Sequence, residues 1–305
     1  MKRAIITGAT GFIGGWLARE LIHAGYETTL IVRDAGRLLP ELLSSPNSVV
    51  IQGELSALSA DDFPFREYDT FFHLSWAGVA PEQKHNVSLQ LSNIPMSLSA
   101  LELSRKLNCG LFVSAGTVAE YALSADVMDF LERQTPNDFY GTAKTSVHYF
   151  LEVQARKLEQ PFIWAVIPST FGERRADNNI ITYTIRTLLK GEKPKYGNLE
   201  QMWDFLYISE VVRALRLIGE RGIPGTIYGI GSGQYRPLYA YITMVRDVIN
   251  PSLPLGIGEI PSLSQQSFSS CVNIFKLTHD TGFFPEVCFE DGIRRTVAYW
   301  QQIIR

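Results

Sequence analysis

The 305-residue chain carries 28 Lys and Arg against 31 Asp and Glu, a formal charge of −3 spread without a basic block, which argues against nucleic acid as a partner. Its three cysteines, Cys109, Cys271 and Cys288, lie far apart and form no C-x-x-C, so neither a disulfide framework nor a zinc ribbon is signalled and a reducing cytoplasm fits. No apolar run reaches the roughly 18 residues of a membrane helix, and "MKRAIITGAT" reads as a first strand meeting glycines at once rather than as a leader.

Strand-length apolar runs then alternate with stretches of helical period. The first run, "RAIIT", hands over to "TGATGFIGG", in which Gly8, Gly11 and Gly14 form G-x-x-G-x-x-G. Residues without side chains permit a tight turn and close approach of backbone to a phosphate, and the helix start behind them offers unpaired N–H groups and a positive dipole end. Packing alone could use the same glycines, but their place in a βαβ unit points to a dinucleotide cradle. The helix itself, "FIGGWLARELIHAG", has an apolar stripe at Phe12, Ile13, Trp16, Leu17, Leu21 and Ile22 and is closed by Gly25.

The second strand, "ETTLIV", runs into "RDAGR". An acid at that strand end would receive the ribose 2′-hydroxyl of NAD, whereas Arg33, with Arg37 in reserve, suits a 2′-phosphate; Asp34 would repel one if it faced inward. Arg33 is either that contact or a solvated surface residue, and the expectation is NADP(H) as preferred cofactor with NAD(H) as the alternative.

Further on, "SVVIQG", "DTFFHLS", "GLFVSAG" and "PFIWAVI" read as strands. "HNVSLQLSNIPMSLSALELSRKL" and "SVHYFLEVQARKLEQ" read as long helices, the first kinked or broken at Pro95. Near-continuous apolar strands separated by helices predict a parallel sheet covered on both faces, a Rossmann-like doubly wound α/β domain over residues 1–168 to which about 204–230 return. Beyond Pro168, helical "NIITYTIRTLLKG", loop-rich "EKPKYGNLEQ" and shorter strands predict a smaller α/β lobe, 169–305, that binds substrate. Gly229, Gly231 and Gly233 read as a loop, and Phe162, Ile163 and Trp164 as core. In "NDFYGTAKTS", Tyr140 and Lys144 lie one helical turn apart, either a solvated pair or an acid with the cation that makes it one. A phenol ionises near pH 10, and an ammonium group on the same helix face stabilises its anion.

Together these features resemble the extended short-chain dehydrogenases/reductases, which mostly act on nucleotide-linked sugars. The likeness spans nearly the whole chain through "TGATGFIGG", "DTFFHLSWAG", "FVSAGTVAEY", "YGTAK", "WDFLYISEVVRAL", "YGIGSGQ" and "EDGIRRTVAYW". It implies a catalytic set of Thr117, whose hydroxyl bonds the substrate oxygen, Tyr140, the proton donor, and Lys144, which also binds the nicotinamide ribose. The expected cofactor set is Gly8, Thr10, Gly11, Phe12, Ile13, Gly14, Arg33, Glu54, Leu55, Leu74, Ser75, Tyr140, Lys144 and Pro168. The expected substrate set is Trp76, Thr117, Glu120, Tyr140, Asn179 and Trp203. His73 reads as a structural strand-end histidine. The resemblance also implies a homodimer paired through residues 85–107 and 140–158, whose apolar stripes core packing explains equally well.

The family's sugar 4,6-dehydratases carry an Asp-Glu pair directly after the threonine; here Val118 and Ala119 stand there, and neither transfers a proton. Glu120, one position on, either hydrogen-bonds sugar hydroxyls or is solvated. Hydride transfer remains. It reads as NADPH-dependent reduction of a nucleotide-linked 4-keto-6-deoxy sugar, favoured by Arg33, or as 4-epimerisation with retained NAD(P). A reading of another class, a non-catalytic NADP-binding sensor or scaffold, needs the cradle but not the acid. Trp203 stands where the family places an arginine on the substrate diphosphate. Either Arg174 and Arg175 replace that charge or the substrate is held differently, and Asn179 either touches the diphosphate or starts a helix. With no H-E-x-x-H and no G-x-S-x-G, neither a metal nor serine hydrolysis is expected.

Overall fold

The computed structural model describes residues 1–121, 127–128, 134–261 and 270–304. Seven strands form one all-parallel sheet: β1 (Arg3–Thr7), β2 (Glu27–Val32), β3 (Ser48–Gln52), β4 (Tyr68–His73), β5 (Cys109–Thr117), β6 (Phe162–Ile167) and β7 (Ile227–Gly229), in the order β7-β6-β5-β4-β1-β2-β3. All six predicted strands are present, and β7 from beyond Pro168 closes the edge. Successive strand residues face opposite cores: Ala4 and Ile6, Phe72 and Val113 pack on one side, Ile5, Phe71 and Phe112 on the other. That is why the strands read as unbroken apolar runs rather than alternating ones.

Helix α1 (Phe12–His23) packs with α5 (Ile208–Arg221) on one face, and α2 (Asn93–Lys106) with α3 (Phe139–Leu158) on the other. Helix α1 buries Leu17, Ala18 and Leu21 and gives way to Gly25 at φ +83°, a left-handed stop that suits a residue without Cβ. The break expected at Pro95 falls earlier. A short helix, Val87–Leu91, ends at Ser92, and α2 starts afresh with Pro95 in its first turn, where a missing N–H costs no helical bond.

Past Pro168, α4 (Ile180–Leu189), α6 (Leu238–Ile249) and α7 (Phe289–Ile304) pack together. Small pairings accompany them: Ser169–Phe171 with Phe205–Tyr207, and Met202–Trp203 with Arg236–Pro237. Among the described residues no helix is long and apolar enough to cross a membrane.

Candidate active site

The sheet order reverses between β1 and β4, so a crevice opens at their carboxyl ends, with β5 as its next wall. Thr7 and His73, the last residues of β1 and β4, are register partners. Thr7 Oγ1 lies 2.9 Å from His73 Nδ1 and accepts from the Leu74 and Ser75 amides at 3.1 and 3.3 Å, while His73 Nε2 lies 3.1 Å from Ser97 Oγ. This knot ties two strand ends and α2 together. Sequence reasoning passed over Thr7, whose only signal is its place beside the glycines.

Burial, with the charge of Lys144 adding to it, pulls the His73 imidazole from 6.5 down to about 3. Between those values the unfolded chain holds more protons than the folded one, so this contribution to stability is complete above pH 6.5 and is lost as pH falls toward 3. Gln at this position keeps the polar bonds without the titration. The stability difference between wild type and His73→Gln is expected to narrow by about 2 kcal/mol from about pH 7.5 to about pH 5 in urea unfolding, and a constant difference would contradict a neutral His73.

The glycine turn meets the requirements of a phosphate cradle. Gly8 adopts φ +80°, and a Cβ there would lie 2.8 Å from the Ser75 nitrogen; one on Gly14 would lie 2.2 Å from the Gly8 carbonyl oxygen. Gly11 N–H donates to that carbonyl at 2.9 Å, and α1 begins immediately behind it without a side-chain cap. The first-turn N–H groups of Phe12, Ile13 and Gly14 therefore have no helical carbonyl behind them, the arrangement that can meet an anion. Leu74 and Ser75 border this turn. Arg33 is exposed at the end of β2, while Asp34 turns back to accept from Gly36 N–H at 2.9 Å. Beyond β3, Glu54 is exposed and Leu55 is buried.

Thr117 ends β5, and α3 comes close to it because Gly141 has no side chain: a Cβ there would lie 2.5 Å from the Ala119 carbonyl oxygen. Asp138 caps α3 by accepting from Gly141 N–H at 2.6 Å. The Tyr140 phenol is thereby paired with the Thr117 side chain. That pairing favours the phenolate, but burial dominates and pushes the phenol up to about 12. Lys144 is buried; its Nζ donates to the Ala115 carbonyl at 2.7 Å and lies 3.9 Å from the centre of the Trp76 ring. Trp76 meets Tyr140 edge-on at 6.0 Å, and its Nε1–H donates to Gln90 at 3.0 Å. The Lys144 ammonium is aimed at a strand carbonyl and an indole face and burial lowers its own proton affinity, while at Tyr140 burial outweighs what favours the phenolate. The ammonium that lies over the Tyr140 ring, at 4.7 Å, belongs to Lys84, in a loop with no sequence signal.

One further expectation changes. Glu120 is not solvated: it is fully buried, because the chain turns through Val118–Tyr121 and folds the carboxylate inward against Trp164 and Gln134. Asn179 caps α4, its Oδ1 accepting from Ile181 and Thr182 N–H and its Nδ2 donating to Asp177. Arg174 lies 3.7 Å from Glu41, and Arg175 is engaged by Asp177 at 2.6 Å. Trp203 is half-buried and pairs across a two-stranded ribbon with Arg236, which sits 3.0 Å from Glu290. Arg236 is the cation nearest in register to Trp203, and only folding brings it there.

A family model described as "NAD dependent epimerase/dehydratase family" matches residues 4–231. The dTDP-glucose 4,6-dehydratase of Escherichia coli is 24% identical over 348 residues, spanning 99% of this chain and 96% of that protein, and the enzyme of the same name from Neisseria gonorrhoeae is 22% identical, spanning 98% and 95%. Among solved structures, a UDP-N-acetylglucosamine 4-epimerase from Methanobrevibacter ruminantium, in complex with UDP-N-acetylmuramic acid, superposes with TM-score 0.87 at 22% identity over 99% of both chains. A UDP-glucuronic acid 4-epimerase from Bacillus cereus, in complex with UDP-glucuronic acid and NAD, does so with TM-score 0.84 at 19% identity over 99% of this chain and 100% of that one.

Proposed function

The chain belongs to the NAD dependent epimerase/dehydratase family, as its resemblance to extended short-chain dehydrogenases/reductases implies, and from that premise we propose that it moves hydride at a ring carbon of a nucleotide-linked sugar without eliminating water. The observation that carries this reading is the Thr117–Tyr140 pair beside a glycine cradle, with Glu120, three residues after Thr117, fully buried and held by hydrogen bonds. Gly8 to Gly14 would hold the pyrophosphate of the cofactor, and Tyr140, Lys144 and Pro168 would border its nicotinamide end. When bound, the nicotinamide supplies hydride exchange with the sugar carbon. Thr117 orients the sugar oxygen through its hydroxyl, and Tyr140 passes a proton to or from that oxygen. Trp76 walls the pocket, and residues 169–305 cover the sugar nucleotide.

Two outcomes share this chemistry. The family's cofactor and the 4-epimerases among similar structures support epimerisation with retained NAD. Arg33, exposed at the end of β2 with Asp34 turned aside, supports a second reading, NADPH-dependent reduction of a 4-keto-6-deoxy sugar. Arg33→Ala is expected to weaken NADPH binding about tenfold or more, the worth of a charge-assisted hydrogen bond, and NADH binding about twofold at most. Calorimetric titration checks it, and equal losses remove the 2′-phosphate role. Incubation with NAD⁺ or NADPH and a panel of UDP-, dTDP-, CDP- and GDP-sugars tests the function. A 4-epimer without net cofactor use supports the first reading, stoichiometric NADPH oxidation the second, and neither defeats both.

Two copies are proposed to pair through α3 and the helices before β5. Tyr149, Phe150 and Val153 on α3 are each about half exposed, as is Leu91 on the neighbouring short helix, at 53, 52, 45 and 53%.

A further inference from the structure

Between β5, β6 and α3 a polar cluster is built around Glu120. Its Oε1 accepts the Thr117 backbone N–H at 2.7 Å, and its Oε2 accepts the Trp164 indole N–H at 3.1 Å and a Gln134 amide N–H. Gln134 in turn bonds His148 Nδ1 at 3.1 Å, and the His148 ring stacks on Trp164 at 4.7 Å and 9°. The space is tightly fitted. A Cβ on Gly116 would lie 2.4 Å from Trp164 Nε1 and 2.9 Å from Glu120 Oε1, so glycine at that strand position admits the carboxylate.

The groups that face this carboxylate come from every side: the Thr117 amide from β5, Trp164 from β6, Gln134, Tyr121 on its own turn, and Lys144 and His148 from α3. Burial keeps His148 neutral and Tyr121 protonated. Burial raises the Glu120 carboxyl and lowers Lys144. A polar group taken out of water is costly unless it is hydrogen-bonded, and here three donors meet the carboxyl group. The peptide that the carboxylate grips belongs to the same residue whose hydroxyl pairs with Tyr140.

We propose that Glu120 is a positioning residue for the proposed reaction: its carboxyl oxygen holds the Thr117 peptide in register with Tyr140. It acts through Thr117 and not on the sugar. The inference rests on the hydride-transfer reading for its consequence in turnover, but the grip on the Thr117 amide can be read in the free protein.

The test compares wild type with Glu120→Ala, which removes the acceptor, and Glu120→Gln, which keeps one for Thr117. In ¹⁵N-labelled free protein, hydrogen exchange of the Thr117 amide is expected to speed up about tenfold or more in Glu120→Ala and to stay near wild type in Glu120→Gln. With a sugar nucleotide that wild type turns over, kcat is expected to fall about tenfold in Glu120→Ala with KM little changed, and Glu120→Gln to recover most of it. Gln134→Leu, which withdraws one donor from the carboxyl group, should move both readings the same way as Glu120→Ala by less, and serves if Glu120→Ala does not fold. A Thr117 amide as protected as in wild type in whichever variant folds, or an unchanged kcat beside an active wild type, overturns the role of Glu120 alone. A wild type inactive on every sugar nucleotide overturns the proposed function, and the Thr117 exchange still decides whether Glu120 holds the peptide.

Discussion

Tyr140→Phe is expected to lower kcat about 10³-fold, within the range of a lost general acid, while leaving NAD⁺ affinity within about twofold. The phenol is pushed up to about 12 by burial, so at neutral pH it carries its proton and is placed to donate it. Phenylalanine fills the same space between Trp76, Lys84 and Thr117 without that proton. Cofactor contacts lie mainly with the glycine turn and survive. Steady-state turnover of a sugar nucleotide, beside NAD⁺ titration followed by tryptophan fluorescence, separates the two effects. A Phe variant with wild-type turnover would remove Tyr140 from the chemistry.

The second large effect is expected at the cradle. Gly14→Ala places a Cβ 2.2 Å from the Gly8 carbonyl oxygen, which is backbone and cannot swing aside. The turn must shift, and that carbonyl is the one that accepts the Gly11 N–H at the start of α1. Overpacking of this kind costs about 1–3 kcal/mol of stability. Dinucleotide affinity should fall about a hundredfold, because the displaced N–H groups are those a pyrophosphate would meet. Calorimetry with NAD⁺ and NADPH reads the affinity, and thermal unfolding reads the stability. Full affinity in this variant would place the cofactor somewhere other than this turn.

Both effects were legible before folding, because they depend on local order. A glycine triplet directly after an apolar strand, and a tyrosine and lysine one helical turn apart, are patterns within a few residues of chain. The same locality explains Glu120. Its offset of three from Thr117 said that it was near, but not which way a short turning segment would aim it, and burial against Trp164 decided that. Lys144 is a similar case: its helix face was readable, while the carbonyl of Ala115 and the ring of Trp76 that receive its ammonium come from two other strand ends.

The sequence by itself determined the architecture: which runs are strands, that they are covered on both faces, where the glycine turn lies, and that Tyr140 and Lys144 share a helix face. These follow from hydrophobic period and glycine placement, which act along the chain. Only the tertiary structure decided the electrostatics, namely that Tyr140 is held protonated, that Lys84 rather than Lys144 lies over its ring, that a buried Glu120 accepts the Thr117 amide, and that Arg236 pairs in register with Trp203. Charges interact through space, and their strength depends on how much water has been removed around them. Both distance and burial are set by segments far apart in sequence.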